Sequence, residues 1–338
     1  MHKEMVRWLN RPEYLYQPGK LVRRVFPGGP VIEGEEIVGL PWKLPLEVDS
    51  SETIGRIISH HGIFEMPVVE AMFRLIDPGD LVFDVGANIG YMTAVALSAG
   101  AARVIAFEPH PALFSRLERN VARWSRDQRF AGRIDARQEA ISSRKGGFSL
   151  FVPKRGFAEN QGLATLEERP DREAYNEVPI TATTLDAVIA EAGASVGVLK
   201  IDIEDHESQA FKGGSNSLAG GRIRDIIYEG FSGADSDASR LLINLGYAIF
   251  GLQSTVFGPV LVEGLRAGKR RIGDHNLVAT LDPGRLRKRM SAKGFRCLSR
   301  AAKAGLSAGH LARTQEVVGQ RSQHGLIKGT GQDDWNDR

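Results

Sequence analysis

Two groups of residues in this chain have types and spacings that do chemistry. The first is DVGANIG, Asp84 to Gly90, which follows the apolar run Leu81–Val82–Phe83, together with Glu108 at the end of the next apolar run. A strand that ends in an acid and a Gly-rich turn, followed by a helix, brings backbone amides close to a ligand without side-chain obstruction. Gly86 permits the tight turn, Asn88 sits at its tip, and Gly90 lets the helix start near the ligand. About twenty residues on from such a turn, a carboxylate at the end of the second strand takes the two hydroxyls of a ribose, and Glu108 stands there.

A nicotinamide dinucleotide makes a similar demand on the fold, but its G-x-G-x-x-G fingerprint is absent: the spacing is Asp84-x-Gly86-x-x-x-Gly90. An acid before the first glycine repels a pyrophosphate. It suits a nucleoside whose other arm carries a sulfonium and an amino group, which is what S-adenosylmethionine presents.

The second group lies at the end of a later apolar strand, where Lys200, Asp202, Glu204, His206 and Glu207 crowd together. Ends of parallel strands open on the ligand edge of the sheet. Strand alternation puts Lys200, Asp202 and Glu204 on one side and Ile201 and Ile203 on the other. Methyl transfer is an in-line displacement that gains most from positioning, and an alcohol acceptor must also lose a proton. Asp202 is the first candidate to contact the methionine end or take that proton, Glu204 the second and His206 the third. Asp205 and Glu207 also suit the start of the following helix, as cap and dipole partner. Glu229 ends the next strand and points to the same edge. Asp202, Glu204, His206 and Glu229 have the residue types of a divalent-cation site, but their spacing establishes none, and no metal site is assigned.

The elements that must position these groups alternate regularly. Strands are expected at Leu81 to Val85, Arg103 to Phe107, Ile134 to Gln138, Val198 to Ile203, Asp225 to Tyr228, Tyr247 to Leu252 and Asn276 to Leu281. Helical periodicity runs from Ile54 to Ile76 and over about 89–99, 111–124 and 185–192. Short apolar strands separated by helices predict an α/β fold with a mostly parallel sheet covered on both faces. The stretch 145–184 interrupts the rhythm and reads as a hairpin or surface insertion. The expected division is a Pro- and Gly-rich lead-in or cover over 1–53, a catalytic domain over 54–283 and a basic C-terminal tail over 284–338, disordered over its last dozen residues.

Bulk properties narrow the classes. A chain of 338 residues buries a sizeable core. It has no apolar run long enough to span a bilayer and no signal-peptide pattern at its start, so a cytoplasmic location is expected. A single cysteine, Cys297, excludes an internal disulfide and a multi-cysteine zinc site. The formal charge is only +3, but no acid occurs between Arg285 and Arg313. That segment is read first as a solvated or self-docking tail, with contact to an anionic membrane or other polyanion as the alternative. Phe295 is its only Phe, Tyr or Trp, which leaves little to stack on bases and argues against nucleic acid as a partner.

Taken together, IDPGDLVFDVGANIGYMT, AFEPHP, EAIS, TTLD, VLKIDIEDHESQAFKGG, YEGF and HNLVAT resemble the FkbM family of class I methyltransferases over roughly two thirds of the chain. The resemblance implies a Rossmann-like sheet of seven strands, the last antiparallel. It also implies bound S-adenosylmethionine and O-methylation of a hydroxyl on a sugar, glycan, polyketide or other small metabolite. By position, Asp84, Gly86 and Gly90 would line the methionine part, Glu108 the ribose, and Glu139 and Ala140 the adenine. One position departs: where the family commonly reads D-x-E-G-x-E, Asp205 takes the place of the glycine. An RNA ribose methyltransferase, a non-catalytic S-adenosylmethionine-binding module and a dehydrogenase are the competing readings. Nothing in the sequence fixes an oligomeric state.

Overall fold

The computed structural model describes residues 34–168, 171–230, 233–263 and 275–298. Most of the expected lead-in, the second half of the basic segment and the expected disordered end lie outside the described residues.

The described chain opens with a hairpin, β1 (Glu35–Gly39) and β2 (Pro45–Asp49), then two helices, α1 (Thr53–His61) and α2 (Met66–Leu75). The helical pattern expected as one run is broken by Gly62, which caps α1 at φ 74°, and by Glu65, which opens α2 at φ 47° ahead of Pro67. The alternation follows: β3 (Leu81–Val85), α3 (Tyr91–Ala99), β4 (Arg103–Phe107), α4 (Pro111–Trp124) and β5 (Ile134–Arg137). Next come β6 (Ala140–Ile141), β7 (Gly146–Pro153) and β8 (Tyr175–Thr183), then α5 (Leu185–Ala192), β9 (Val196–Ile201), α6 (Glu207–Lys212) and α7 (Ser215–Ala219). The last elements are β10 (Ile223–Glu229), α8 (Asp237–Asn244), β11 (Ala248–Gln253), β12 (Val260–Val262), β13 (Asn276–Thr280) and α9 (Pro283–Met290).

The main sheet has the order β12-β11-β13-β10-β9-β3-β4-β5. Strands β10, β9, β3, β4 and β5 are parallel, and β13 runs antiparallel to both its neighbours. The expected seven strands are all present; the eighth, β12, adds three residues to the edge by folding back antiparallel on β11. Alternation along the strands feeds two cores. Val82, Val104, Val198, Ile227 and Val278 pack on the side of α2 and α3, and Phe83, Ile105, Leu199, Ile226 and Ala279 on the side of α5 and α6. Burial on both faces explains why these strands read as continuous apolar runs. The interruption at 145–184 is the expected hairpin, β7 against β8, and β6 joins it as a third strand.

At the centre, β3 and β9 pair in parallel with Asp84 opposite Lys200. Just beyond them the backbones converge: Asp202 N–H donates to Val85 O at 3.1 Å. A Cβ on Gly86 would lie 1.9 Å from the Asp202 carbonyl oxygen, and Gly86 has φ +74°, so only glycine fits. Strand β9, expected to reach Ile203, stops at Ile201 because Glu204 (φ 53°) and Asp205 (φ 76°) turn the chain through the left-handed region. The turn that a glycine would make is therefore kept at Asp205, a residue type that tolerates this conformation better than most.

The described part of the basic segment is docked. Leu286, Met290, Phe295, Cys297 and Leu298 are buried in the core on the α2 side. Arg285 pairs with Asp225 and Asp77, each at 2.7 Å, and Arg289 pairs with Asp77. Beneath them lies a fully buried ion pair, Arg74 Nε to Glu70 Oε1 at 2.6 Å. Arg74 also donates to Met290 O at 2.8 Å and Gly294 O at 2.7 Å, and Glu70 Oε2 accepts the Cys297 N–H at 2.9 Å. Helix α9 spans the expected boundary at 283/284. Burial raises the Cys297 thiol pKa far above its usual range, so it stays protonated.

Removing one member of a buried pair strands the other charge. Arg74→Leu is therefore expected to cost about 3–5 kcal/mol, seen as a lower urea midpoint, while joint replacement of Glu70 and Arg74 by apolar residues costs less. At the turn after β9, Asp205→Gly should leave stability within about 1 kcal/mol of the parent, whereas Asp205→Val should cost about 1–2 kcal/mol. Equal melting temperatures for the two Asp205 variants would contradict the left-handed assignment.

Candidate active site

The carboxyl ends of β5, β4, β3, β9 and β10 face one cavity of about 350 Å³. Its lining follows the sheet order: Glu139, Ala140 and Ile141 after β5, Glu108 after β4, Gly86 and Asn88 after β3, Lys200, Asp202 and Glu204 at β9, and Glu229 at β10. The cavity is also lined by Thr53, Ile54, Phe64 and Glu65 and by Asn160 to Gly162, Ala164 and Leu166 from the insertion, which cover part of it. The two covers touch, since Thr53 N–H donates to Glu159 O at 2.7 Å.

At one end the walls are apolar, with Ala140, Ile141, Leu150 and Leu166, a surface suited to a purine face. Beside it Glu108 is only 6% exposed. Its oxygens accept one backbone N–H each, from Asn88 and from His110, both at 2.8 Å. Each oxygen keeps lone-pair capacity for a hydroxyl donor. Burial pushes the Glu108 carboxyl up to about 7, against the two N–H bonds that favour its charge.

The Gly-rich turn differs from the sequence expectation in two respects. Its amides are not offered to a ligand. Gly86 and Ala87 N–H both donate to Phe107 O, at 3.0 and 2.9 Å, and Gly90 N–H donates to Ala87 O at 2.8 Å. Asn88 N–H goes to Glu108, and Ile89 N–H goes to Asn88 Oδ1 at 2.8 Å. All five donors are used inside the protein, so the turn holds no amide nest for a pyrophosphate. Gly90 also faces away from the cavity: a Cβ there would meet Leu117 at 2.7 Å and Trp124 at 3.0 Å. It is glycine so that α3 can start against α4.

The other end is charged. Lys200 Nζ, 3.3 Å from Gly86 O, lies 3.6 Å from Asp202 Oδ2 and 3.9 Å from Asp84 Oδ1. Burial works against the Lys200 ammonium, but Asp202, Asp84 and Glu65 outweigh it and hold the pKa above the usual lysine value. Asp84 is fully buried behind the cavity wall; Thr93 donates to its Oδ2 at 2.6 Å, and its Oδ1 has no hydrogen-bond partner. Burial raises its pKa. Asp202 is the most open of this group, with 35% of its side chain exposed. Burial, reinforced by Asp202, pushes Glu65 up to about 7; burial with Asp202 and Glu204 pushes Glu229 up to about 8.

Of the residues singled out from sequence, Gly86, Asn88, Glu108, Glu139, Ala140, Asp202 and Glu204 line the cavity, whereas Asp84, Gly90 and His206 do not. His206 is buried beneath the turn after β9. Its Nε2 meets Ser142 Oγ at 2.9 Å and its Nδ1 meets Glu167 Oε1 at 2.6 Å. Both ring nitrogens are engaged, so it ties the insertion to this turn, assisted by Thr165 Oγ1 donating to Glu204 O at 2.6 Å. Glu207 accepts the Ile203 N–H at 3.0 Å, a structural tie at the start of α6. Glu65 was not singled out from sequence. An acid between Phe64 and Met66-Pro67 signals a helix start, and only the tertiary fold brings it to the sheet edge.

The Methyltransferase FkbM domain profile matches residues 84–249. The 31-O-demethyl-FK506 methyltransferase FkbM of Streptomyces tacrolimicus is 32% identical over 219 residues, covering 56% of this chain and 81% of that one. The hexuronic acid methyltransferase AglP of Haloferax volcanii is 29% identical over 199 residues, 58% of this chain and 74% of that one. The crystal structure of a methyltransferase FkbM from Methylobacillus flagellatus superposes with a TM-score of 0.38 at 16% identity, covering 60% of this chain and 43% of that one. By its match to the FkbM domain profile and to the Streptomyces tacrolimicus protein, the chain belongs to the FkbM family of methyltransferases.

Proposed function

We propose that the protein is an S-adenosylmethionine-dependent O-methyltransferase acting on a hydroxyl of a sugar, glycan or small metabolite. The observation that carries the reading is the polarity of the cavity. An apolar slot and the buried Glu108 fit an adenosine, and the carboxylates at the far end fit the amino group of a methionine-like arm. The internally satisfied Gly-rich turn disfavours a dinucleotide. Relatives of the family named for 31-O-demethyl-FK506 and for a hexuronic acid support an oxygen acceptor on a small molecule or glycan. The RNA reading loses support, because Arg285, Arg287 and Arg289 are paired with Asp225, Glu263 and Asp77.

Glu108 is assigned to the ribose hydroxyls, Glu139 and Ala140 to the border of the adenine, and Gly86, Asn88 and Asp202 to the methionine arm. Bound there, S-adenosylmethionine supplies a methyl group activated on a sulfonium. The protein holds the acceptor oxygen in line, keeps water out beneath the two covers, and takes the hydroxyl proton. Asp202 is the assigned proton acceptor, with Glu204 beside it. Glu229, pushed up to about 8 by burial with Asp202 and Glu204, borders the same end of the cavity.

Calorimetry with S-adenosylhomocysteine and with NAD tests the cofactor, and labelled methyl transfer into fractionated cell extract, followed by mass identification, tests the acceptor. Binding of NAD alone would sink the proposal. Asp202→Asn should lower turnover by roughly 10²–10³ with little change in melting temperature; an unchanged rate would remove Asp202 from the chemistry. Ribose hydroxyls donate to ionised Glu108, so binding must deprotonate a group that titrates near 7. Affinity for S-adenosylhomocysteine should therefore rise about tenfold from pH 6 to pH 8, and Glu108→Gln should lose both the affinity and most of the slope.

A further inference from the structure

Lys200 is the only cationic side chain among the described residues that line the cavity, and its position poses an electrostatic question. It lies at the end of the cavity where, on the cofactor reading above, a second positive charge has to arrive. The sheet order fixes this placement. The apolar slot after β5 and Glu108 after β4 occupy one end, so the sulfur-bearing arm extends toward Gly86, Asp202 and Glu229. Lys200 projects from β9 at that end, buried, with its Nζ 3.3 Å from the Gly86 carbonyl oxygen. Its ammonium neutralises Asp202, which opens on the cavity, at 3.6 Å, and Asp84, buried behind the wall, at 3.9 Å. Asp84 Oδ1, buried and without a hydrogen-bond partner, has that ammonium as its nearest counter-charge.

We infer that Lys200 is a charge-selective residue that favours a neutral sulfur over a cationic one at the reacting end of the site. Three carboxyl groups, Asp84, Asp202 and Glu65, hold its ammonium charged, and the same groups are thereby unavailable to reward a sulfonium in full. The consequence for turnover follows from charge balance. The acceptor oxygen forms a bond to the methyl carbon, the carbon–sulfur pair returns to sulfur, and the hydroxyl proton passes to a carboxylate. Positive charge on sulfur disappears along that path. A fixed neighbouring cation therefore costs the reactant more than the transition state, and a difference of this kind is what accelerates a reaction. A purely structural lysine, present to hold the ends of β3 and β9 together, would treat the two cofactor forms alike.

The test compares Kd for S-adenosylmethionine and S-adenosylhomocysteine by calorimetry on the full chain. The parent protein should bind S-adenosylhomocysteine at least as tightly as S-adenosylmethionine. Lys200→Met should shift the ratio of the two constants toward S-adenosylmethionine by about tenfold, and Lys200→Arg, which keeps the charge, should keep the parental ratio. An unchanged ratio in a folded Lys200→Met protein would overturn the inference. So would a parent protein that prefers S-adenosylmethionine more than tenfold, a result that holds even if Lys200→Met does not fold. The inference rests on the cofactor reading, and the two fail differently: no binding of either ligand strikes that reading, whereas binding of both without the ratio shift strikes Lys200 alone.

Discussion

The contact between Gly86 and the Asp202 carbonyl is the constraint on which the site depends. Because a Cβ at Gly86 has no room, the ends of β3 and β9 close to a distance that no other residue allows. Three consequences follow from that approach. Lys200 can reach across to the Gly86 carbonyl oxygen. Asp84 and Asp202, on two different strands, come within reach of one ammonium. The Gly-rich turn is pressed onto the end of β4, where Phe107 O and Glu108 take its amides. A Gly-rich turn that in sequence offers its amides to a ligand is thus turned inward, and one of those amides, that of Asn88, helps aim Glu108.

This is also where the sequence was most and least legible. The strands showed as apolar runs because they are buried on both faces, and the acids at their ends marked the ligand edge; Glu108, Asp202 and Glu204 all line the cavity. Less legible were features that depend on what lies across a contact. Gly90 is glycine for the sake of Leu117 and Trp124 on a helix that packs from the side. His206 has the type and spacing of a base, yet Ser142 and Glu167 occupy both its nitrogens, and neither partner is local. Glu65 could not be connected to the site from a position nineteen residues ahead of the glycine motif, because α2 and the hairpin cover have no period that points to a sheet edge.

The covers explain why so much chain outside the sheet is needed. The insertion reaches over the apolar slot and is fastened at the turn after β9 by Thr165 and Glu167. The N-terminal cover meets it at Thr53 and Glu159 and brings Glu65 over the acidic end. On the far side of α2, the Glu70–Arg74 pair holds the segment through Cys297 in place. One helix therefore carries the cover at its start and the C-terminal clamp along its length, and the clamp fixes the height at which Glu65 sits.

Glu65, Glu108 and Glu229 share a property that gives the cavity its character. Each is pushed up to about 7 or 8, with burial as the main cause in every case. At neutral pH an empty cavity does not hold all these groups as anions, because desolvation of several close carboxylates costs more than protonating some of them. Ligands that donate hydrogen bonds or carry positive charge pull the groups into their ionised form, so binding and ionisation are linked. The charge of this site is set by what enters it, around Lys200, the one cationic side chain among the described residues of its lining.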